Sequence, residues 1–333
     1  MKITVLGSGA WGTALALLLV DNGNDVTLWS RSREHSEQMA RTGENPRLTG
    51  VALPPALKCS SDLDSAAESE IVVLAVPSFA ARENAARIAP LLREDAVVVS
   101  VAKGIERDSS LCLTQVIEEE LNGKCRVAAL SGPAHAEEVG RKMPTGCVAA
   151  SRDLRTAELV QDVFMSPRFR VYTNSDVLGV ELGGALKNVL ALCCGISDGM
   201  GLGDNTKALL MTRGMTEMAR LGVALGGKSE TFAGLSGMGD LIVTCTSMHS
   251  RNRRCGILIG QGKPVQEAMR EVGAVVEGYY AAFSAHQLAE KAGVEMPICQ
   301  TAYRVLYEGQ PVQNVVRGLM NRDKKREVDE SWI

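Results

Sequence analysis

The chain has 333 residues, 45% apolar and 23% charged, which suits one to three soluble domains, two above all, with a sizeable core. A net charge of −3 excludes the broad basic surface of a nucleic-acid or anionic-membrane binder, so an anionic ligand has to be met by local groups. Nine cysteines, odd in number and without C-x-x-C spacing, argue against a disulfide framework or a zinc module; they suit core thiols in a reducing cytoplasm, and no metal is expected.

Residues 2–6 read as a short apolar strand, with no signal-peptide layout before it. Gly7-Ser8-Gly9-Ala10-Trp11-Gly12 follows at once, and a helix-like apolar run begins at residue 14. In this strand–turn–helix setting G-x-G-x-x-G is a dinucleotide fingerprint. Gly7 permits the tight turn, Gly9 lets the backbone approach a pyrophosphate, and Gly12 lets helix and strand pack closely. The N–H groups and positive dipole end of the helix then face the phosphates.

Residues 25–30, 71–76, 96–102 and 126–131 read as further strands, separated by helices over 34–42, 79–92 and 111–121. The unbroken apolar run of 71–76 suits a strand buried on both faces. This alternation predicts an α/β fold, an N-terminal Rossmann-type doubly wound sheet. Residues 146–151 and 169–173, with a helix over 155–165 between them, would extend it. Near residue 175 the strand signals stop, and helices are expected over 177–196, 205–221, 232–235, 251–261, 264–270, 278–291, 297–306 and 310–317. The expected domains are therefore 1–178, binding a dinucleotide, and 179–333, an all-helical substrate-binding and catalytic domain. No run is expected to cross a membrane. The glycines of 199–203 follow no strand and read as a linker rather than a second phosphate loop.

The second strand ends Leu28-Trp29-Ser30-Arg31, without the carboxylate that usually holds the ribose hydroxyls of NAD. Arg31 suits a 2′-phosphate, so NADP(H) is favoured with NAD(H) possible; Arg33 is as readily a solvated loop residue. In the run 182–197 Lys187 is the lone charge on a helix apolar on every side. A buried ammonium is costly unless paired, and one moved toward neutrality can exchange a proton with a carbonyl or hydroxyl oxygen. The plainer alternative is a packed stem whose amine reaches water. Asn188 beside it could donate to a polar ligand. Lys103-Gly104 ends a strand at the carboxyl edge of the sheet, where ligands sit in open α/β folds. Gly239-Asp240-Leu241-Ile242-Val243-Thr244 resembles a site loop, and Ser250-Arg251-Asn252-Arg253-Arg254 is a basic cluster in an acidic chain. Arg251 is taken as an anion clamp, and Arg253 and Arg254 as solvated residues of a helix start capped by Ser250.

Taken together, these segments resemble the bacterial type of NAD(P)-dependent glycerol-3-phosphate dehydrogenase. The resemblance is carried by the glycine turn, Ala75-Val76-Pro77-Ser78, Lys103-Gly104-Ile105-Glu106, Ser131-Gly132-Pro133-Ala134-His135-Ala136 and Glu181-Leu182-Gly183-Gly184-Ala185-Leu186-Lys187-Asn188. It continues through Asp204-Asn205-Thr206-Lys207-Ala208, Gly237-Met238-Gly239-Asp240-Leu241, Ser250-Arg251-Asn252 and Val276-Glu277-Gly278. It implies reversible hydride transfer between NAD(P)H and dihydroxyacetone phosphate giving sn-glycerol 3-phosphate, which would feed glycerophospholipid synthesis. Lys187 would be the general acid/base, with Lys103, Asn188, Asp240 and Thr244 around it. Lys103, Gly132, Ser250, Arg251 and Asn252 would hold the phosphorylated triose. Gly7, Ser8, Gly9, Trp11, Gly12, Arg31, Lys103, Ala136, Arg251, Val275 and Glu277 would line the cofactor. No nucleic acid and no membrane insertion are implied, and a homodimer face among the apolar helices is possible. Two departures stand out: Ala134 occupies a place where the family carries a hydroxyl residue, and Asn45-Pro46-Arg47-Leu48-Thr49-Gly50 lacks the family's aromatic residue.

Overall fold

The computed structural model describes residues 1–324, 326 and 327. They form two compact units, residues 1–103 with 111–177, and residues 104–110 with the described residues from 178 onward. The short segment 104–110, between the last residue of one strand region and the next helix in sequence, thus packs with the helical unit.

In the first unit the strands are β1 (Lys2–Leu6), β2 (Asp25–Trp29), β3 (Lys58–Ser60), β4 (Ile71–Leu74), β5 (Val97–Ser100), β6 (Arg126–Ser131), β7 (Thr145–Ala150) and β8 (Phe169–Asn174). The helices are α1 (Ala10–Asp21), α2 (Arg33–Thr42), α3 (Ala81–Ile88), α4 (Leu113–Leu121), α5 (Ala136–Gly140) and α6 (Leu154–Phe164). The strand order is β3-β2-β1-β4-β5-β6-β7-β8. Pairing is parallel from β3 through β6, β7 runs antiparallel to β6, and β8 is parallel to β7. The order reverses at β1 and β4, the switch point at which doubly wound sheets bind ligands.

Side-chain alternation divides the core between the two faces. Ile3, Val5, Ile71 and Val73 join α1, α5 and α6 residues in one cluster, while Leu6, Val72 and Leu74 join α3 and α4 residues in the other. Three elements of this unit differ from the sequence expectation. β3 is a three-residue edge strand without an apolar signal, α5 opens directly after His135, and the helix expected over 79–92 is shorter, a 3₁₀ turn leading into α3.

The second unit contains α7 (Val177–Gly199), α8 (Gly203–Ala224), α9 (Ser229–Ala233), α10 (Asp240–Thr246), α11 (Arg251–Gly260), α12 (Val265–Val272), α13 (Glu277–Ala292), α14 (Pro297–Tyr307) and α15 (Val312–Met320). A five-residue π turn, Leu235–Gly239, leads into α10, so the expected loop around Asp240 is helical. Contrary to the composition-based expectation, α7 reaches the length and hydropathy of a membrane span, with 23 residues and a mean hydropathy of 1.6 over its most apolar 18, but 89% of those 18 are buried inside the protein. It is the central helix of a globular core, and Gly201 and Gly203, at φ +72° and +79°, turn the chain from it into α8.

Glu217 on α8 is a buried carboxylate 3% exposed, and it receives the backbone N–H groups of Ile298 (2.8 Å) and Cys299 (3.2 Å) at the start of α14. Burial raises its pKa to about 7, against the pull of those two donors. A carboxyl whose folded pKa is raised contributes stability that is complete below the ordinary value of 4.5 and is lost as pH rises through 7. We expect Glu217→Gln to lose ground to the native chain at pH 5 and to gain on it at pH 8, with a swing of up to about 3 kcal/mol in denaturant unfolding. A difference between the two proteins that does not change with pH would refute the assignment.

Candidate active site

In the first unit the glycine turn joins β1 to α1, and its three glycines serve different ends. Gly7 lies at φ +118°, and a Cβ there would sit 2.4 Å from the Ala75 carbonyl oxygen on the neighbouring chain after β4. A Cβ on Gly12 would sit 2.0 Å from the Gly7 carbonyl oxygen, so the turn closes only around glycine. A Cβ on Gly9 would meet nothing within 4 Å. Gly9 therefore borders open space at the N-terminus of α1, a helix of 12 residues with no side-chain cap and no acidic residue in its first turn. Such a start leaves N–H donors directed at an incoming anion, as the pyrophosphate of a dinucleotide requires. These residues fit the cofactor.

Ser8 and Trp11 belong to this turn; Ser8 is buried, and Trp11 packs partly against the core. Asn45 is 1% exposed and donates its amide to the Ser8 carbonyl (3.0 Å) and to Thr13 Oγ1 (2.7 Å), while its own oxygen accepts from the Arg47 N–H (3.0 Å). Asn45 thus braces the glycine turn, and Leu48 in the same segment is buried. Nothing in the sequence around Asn45 marks this bracing role, since an Asn-Pro pair reads only as a turn. Arg31 is exposed and makes no ion pair among the described residues, whereas Arg33 is bound to Glu37 one helical turn on. At the carboxyl edge of the sheet, Lys103 Nζ donates to the Gly132 carbonyl oxygen at 2.8 Å, and Ala136 opens α5. Gly132 has φ +149° and lies against Cys147 Cα, where a Cβ would come within 2.9 Å.

The second unit gathers the remaining residues. Lys187 Nζ donates to Asp240 Oδ1 at 2.7 Å and to Thr244 Oγ1 at 2.6 Å. The Lys187 and Asp240 side chains are 7% and 1% exposed, which rules out an amine carried to water along the helix. Asp240 and Thr244 stand one turn apart on α10, so both face α7. The Thr244 hydroxyl also donates to the Asp240 carbonyl (2.6 Å). Two glycines meet where α7 approaches the turn before α10: a Cβ on Gly183 would lie 2.8 Å from the Ser236 carbonyl oxygen and 3.4 Å from Gly237 Cα.

Asn188, the next residue of α7, accepts from Asn252 Nδ2 at 2.9 Å, and Asn252 Oδ1 accepts from the Gly278 N–H at 2.8 Å. This chain of amides joins α7, α11 and α13, leaving Val275 and Glu277 at the start of α13. Ser250 caps α11 by accepting from the Arg253 N–H at 3.2 Å. Arg251, the first residue of α11, is exposed and makes no ion pair among the described residues. Arg253 is not the solvated residue expected from the sequence: its guanidinium binds Asp198 at 2.7 Å. Among the described residues no three His, Cys, Asp or Glu side chains converge as metal ligands would.

Profiles described as the N-terminus and the C-terminus of NAD-dependent glycerol-3-phosphate dehydrogenase match residues 2–157 and 176–317. The chain belongs to this dehydrogenase family. It is 55% identical to the glycerol-3-phosphate dehydrogenase (NAD(P)+) of Moorella thermoacetica, over 98% of each chain. It is 53% identical to that of Clostridium acetobutylicum, again over 98% of each. The crystal structure of glycerol-3-phosphate dehydrogenase from Coxiella burnetii is similar at a TM-score of 0.92 and 41% identity, covering 96% of this chain and 98% of that one. Like its relatives, this family member places a doubly wound sheet before a helical region.

The two tight glycines of the dehydrogenase turn and its open one predict opposite outcomes. Gly12→Ala should be destabilised by roughly 1–3 kcal/mol or fail to fold, because its Cβ meets backbone. Gly9→Ala should keep the native melting temperature and lose affinity for NAD(P)H about tenfold or more. Equal stability loss in both, or intact cofactor titration in Gly9→Ala, would contradict the assignment of Gly9 to the ligand side.

Proposed function

We propose that this chain catalyses reversible hydride transfer between NAD(P)H and dihydroxyacetone phosphate, giving sn-glycerol 3-phosphate. The observation that carries the proposal is the ammonium of Lys187, buried and held by Asp240 Oδ1 and Thr244 Oγ1, in a helical stretch, residues 182–197, with no other charge. NAD(P)H supplies the hydride when bound. As the ketone carbon is reduced, negative charge grows on its oxygen, and a positioned ammonium both stabilises that charge and delivers the proton. Asp240 opposes the effect of burial and favours the charged ammonium, while Thr244 fixes its direction. Asn188 and Asn252 brace each other beside it, and Arg251, exposed on the first turn of α11, would grip the phosphate. Phosphate binding at a distance from the reacting carbon orients the carbonyl and lowers the barrier. In the same proposal Lys103 and Gly132 act at the sheet edge, and Ser8, Trp11, Ala136, Val275 and Glu277 line the cofactor.

NADP(H) is the favoured cofactor, with NAD(H) accepted. Arg31 supports this: it is an exposed guanidinium at the end of β2 where NAD-specific folds place a carboxylate. Nine free cysteines support a reducing compartment, hence the cytoplasm.

Purified protein should oxidise NAD(P)H with dihydroxyacetone phosphate and not with a panel of β-keto acids. Lys187→Met should lower kcat by roughly 10²–10⁴-fold while fluorescence titration still registers NADPH binding. Near-native turnover in that variant would end the acid/base role. Arg31→Ala should raise the KM for NADPH about tenfold or more while barely moving that for NADH, since a bidentate phosphate contact is lost. Equal effects on both cofactors would remove the 2′-phosphate contact.

A further inference from the structure

Next to the proposed phosphate grip lies a group of three charges to which no part of the reaction has been given. Asp198, in the last turn of α7, accepts at Oδ2 from Arg253 Nε (2.8 Å) and Nη2 (2.7 Å), and at Oδ1 from Lys207 Nζ (2.8 Å). The three side chains are only 13–16% exposed, so the ion pairs are poorly screened. The free edge of the Arg253 guanidinium is also used: Nη1 donates to the Thr246 carbonyl at 2.8 Å and touches Met248 Sδ at 3.1 Å. One side chain therefore joins α7, the end of α10 and residue 248 of the connecting loop to the first turn of α11.

The helix contact beneath is equally restrictive. Gly195 and Gly199 of α7 face Gly256 and Gly260 of α11. A Cβ at any of the four would lie 2.1–2.3 Å from a carbonyl oxygen of the opposite helix. These glycines hold the axes close, and the hydrogen bonds from the Arg253 guanidinium to the Asp198 carboxylate tie the same two helices together at the N-terminal end of α11. Ser250, Arg251 and Asn252 immediately precede Arg253, and α10 carries Asp240 and Thr244.

We propose that Asp198, Arg253 and Lys207 form a positioning triad that sets the α11 N-terminus for binding the substrate's phosphate. The proposal presupposes the phosphate role of Arg251. None of the three residues needs to touch substrate; they act through Ser250, Arg251 and Asn252. The nearly isosteric Asp198→Asn removes the charge that holds two cations, and Arg253→Lys keeps a charge but cannot bond Asp198 and Thr246 together.

The test is steady-state kinetics of the full chain with Asp198→Asn, Arg253→Lys and Lys207→Met, inorganic phosphate serving as a competitive probe. For Asp198→Asn and Arg253→Lys, the KM for dihydroxyacetone phosphate and the inhibition constant of phosphate should rise together by about tenfold, as for a displaced binding group. Lys207→Met should show the same pattern more weakly. In all three, kcat should stay within about threefold, and the KM for NAD(P)H, which Arg251 would also line, should rise less than that for dihydroxyacetone phosphate. Unchanged phosphate constants in the folded variants would overturn the proposal. So would a uniform decline in which kcat falls and the cofactor KM rises as much as the KM for dihydroxyacetone phosphate, which marks general loosening. If Asp198→Asn does not fold, the other two variants decide. Arg251→Ala separates the levels: if it raises the KM strongly while the triad variants do not, only the triad fails. If it leaves the KM unmoved, the phosphate role of Arg251 is wrong and the triad's role falls with it.

Discussion

An ammonium cannot stay charged inside an apolar helix bundle unless a carboxylate reaches it, and Lys187 sits on the most buried helix of the chain. Asp240 has to come within hydrogen-bond distance of α7, which requires α10 and the π turn before it to pack with almost no side chain between. Gly183 and Gly237 provide that approach. The same helix meets α11 through four glycines and α13 through Gly278, whose Cβ would strike the Asn188 carbonyl oxygen at 2.5 Å. The helical unit is arranged around α7 as if around an axis, with neighbours admitted wherever glycine leaves the backbone bare. Removing either member of such a buried pair typically costs about 3–5 kcal/mol, so the chemistry and the stability of this unit share one interaction.

The sheet unit depends on a different economy of space. Gly7 and Gly12 are glycine because protein atoms occupy the volume of a side chain, and Gly9 is glycine where nothing does. That contrast separates the scaffold of the turn from the face offered to a ligand. Asn45 then fixes the turn by bonding the Ser8 carbonyl and the Thr13 hydroxyl. Asn45 is buried with three hydrogen-bond partners, and a buried amide so satisfied is difficult to replace.

Much of this could be read directly. The β4 run Ile-Val-Val-Leu announces a strand covered on both faces, and Gly7 to Gly12 announces the turn beside it. β3 could not be read, since its three residues lie at the sheet edge and alternate nothing apolar. α10 was hidden by the glycines at 237 and 239 and by Ile242, Val243 and Thr244, which favour strands when no tertiary contact intervenes. Arg253 looked like surface charge because its partner Asp198 is 55 residues away. The motifs bearing Lys187, Asn188, Arg251 and Asn252 were visible one by one, but nothing local says that Asn252 bonds Asn188 and Gly278 together.

By itself the sequence determined the doubly wound first half, the helical second half, the dinucleotide turn and the identity of the lone buried lysine. Those features are written in periods of a few residues and in the stereochemistry of glycine. Only the tertiary structure decided which carboxylate answers that lysine, which amide braces the turn and which arginines are bound rather than solvated. Each of those outcomes depends on two backbones approaching within a few ångströms across long stretches of chain, and pairing of that kind leaves no pattern in either segment alone.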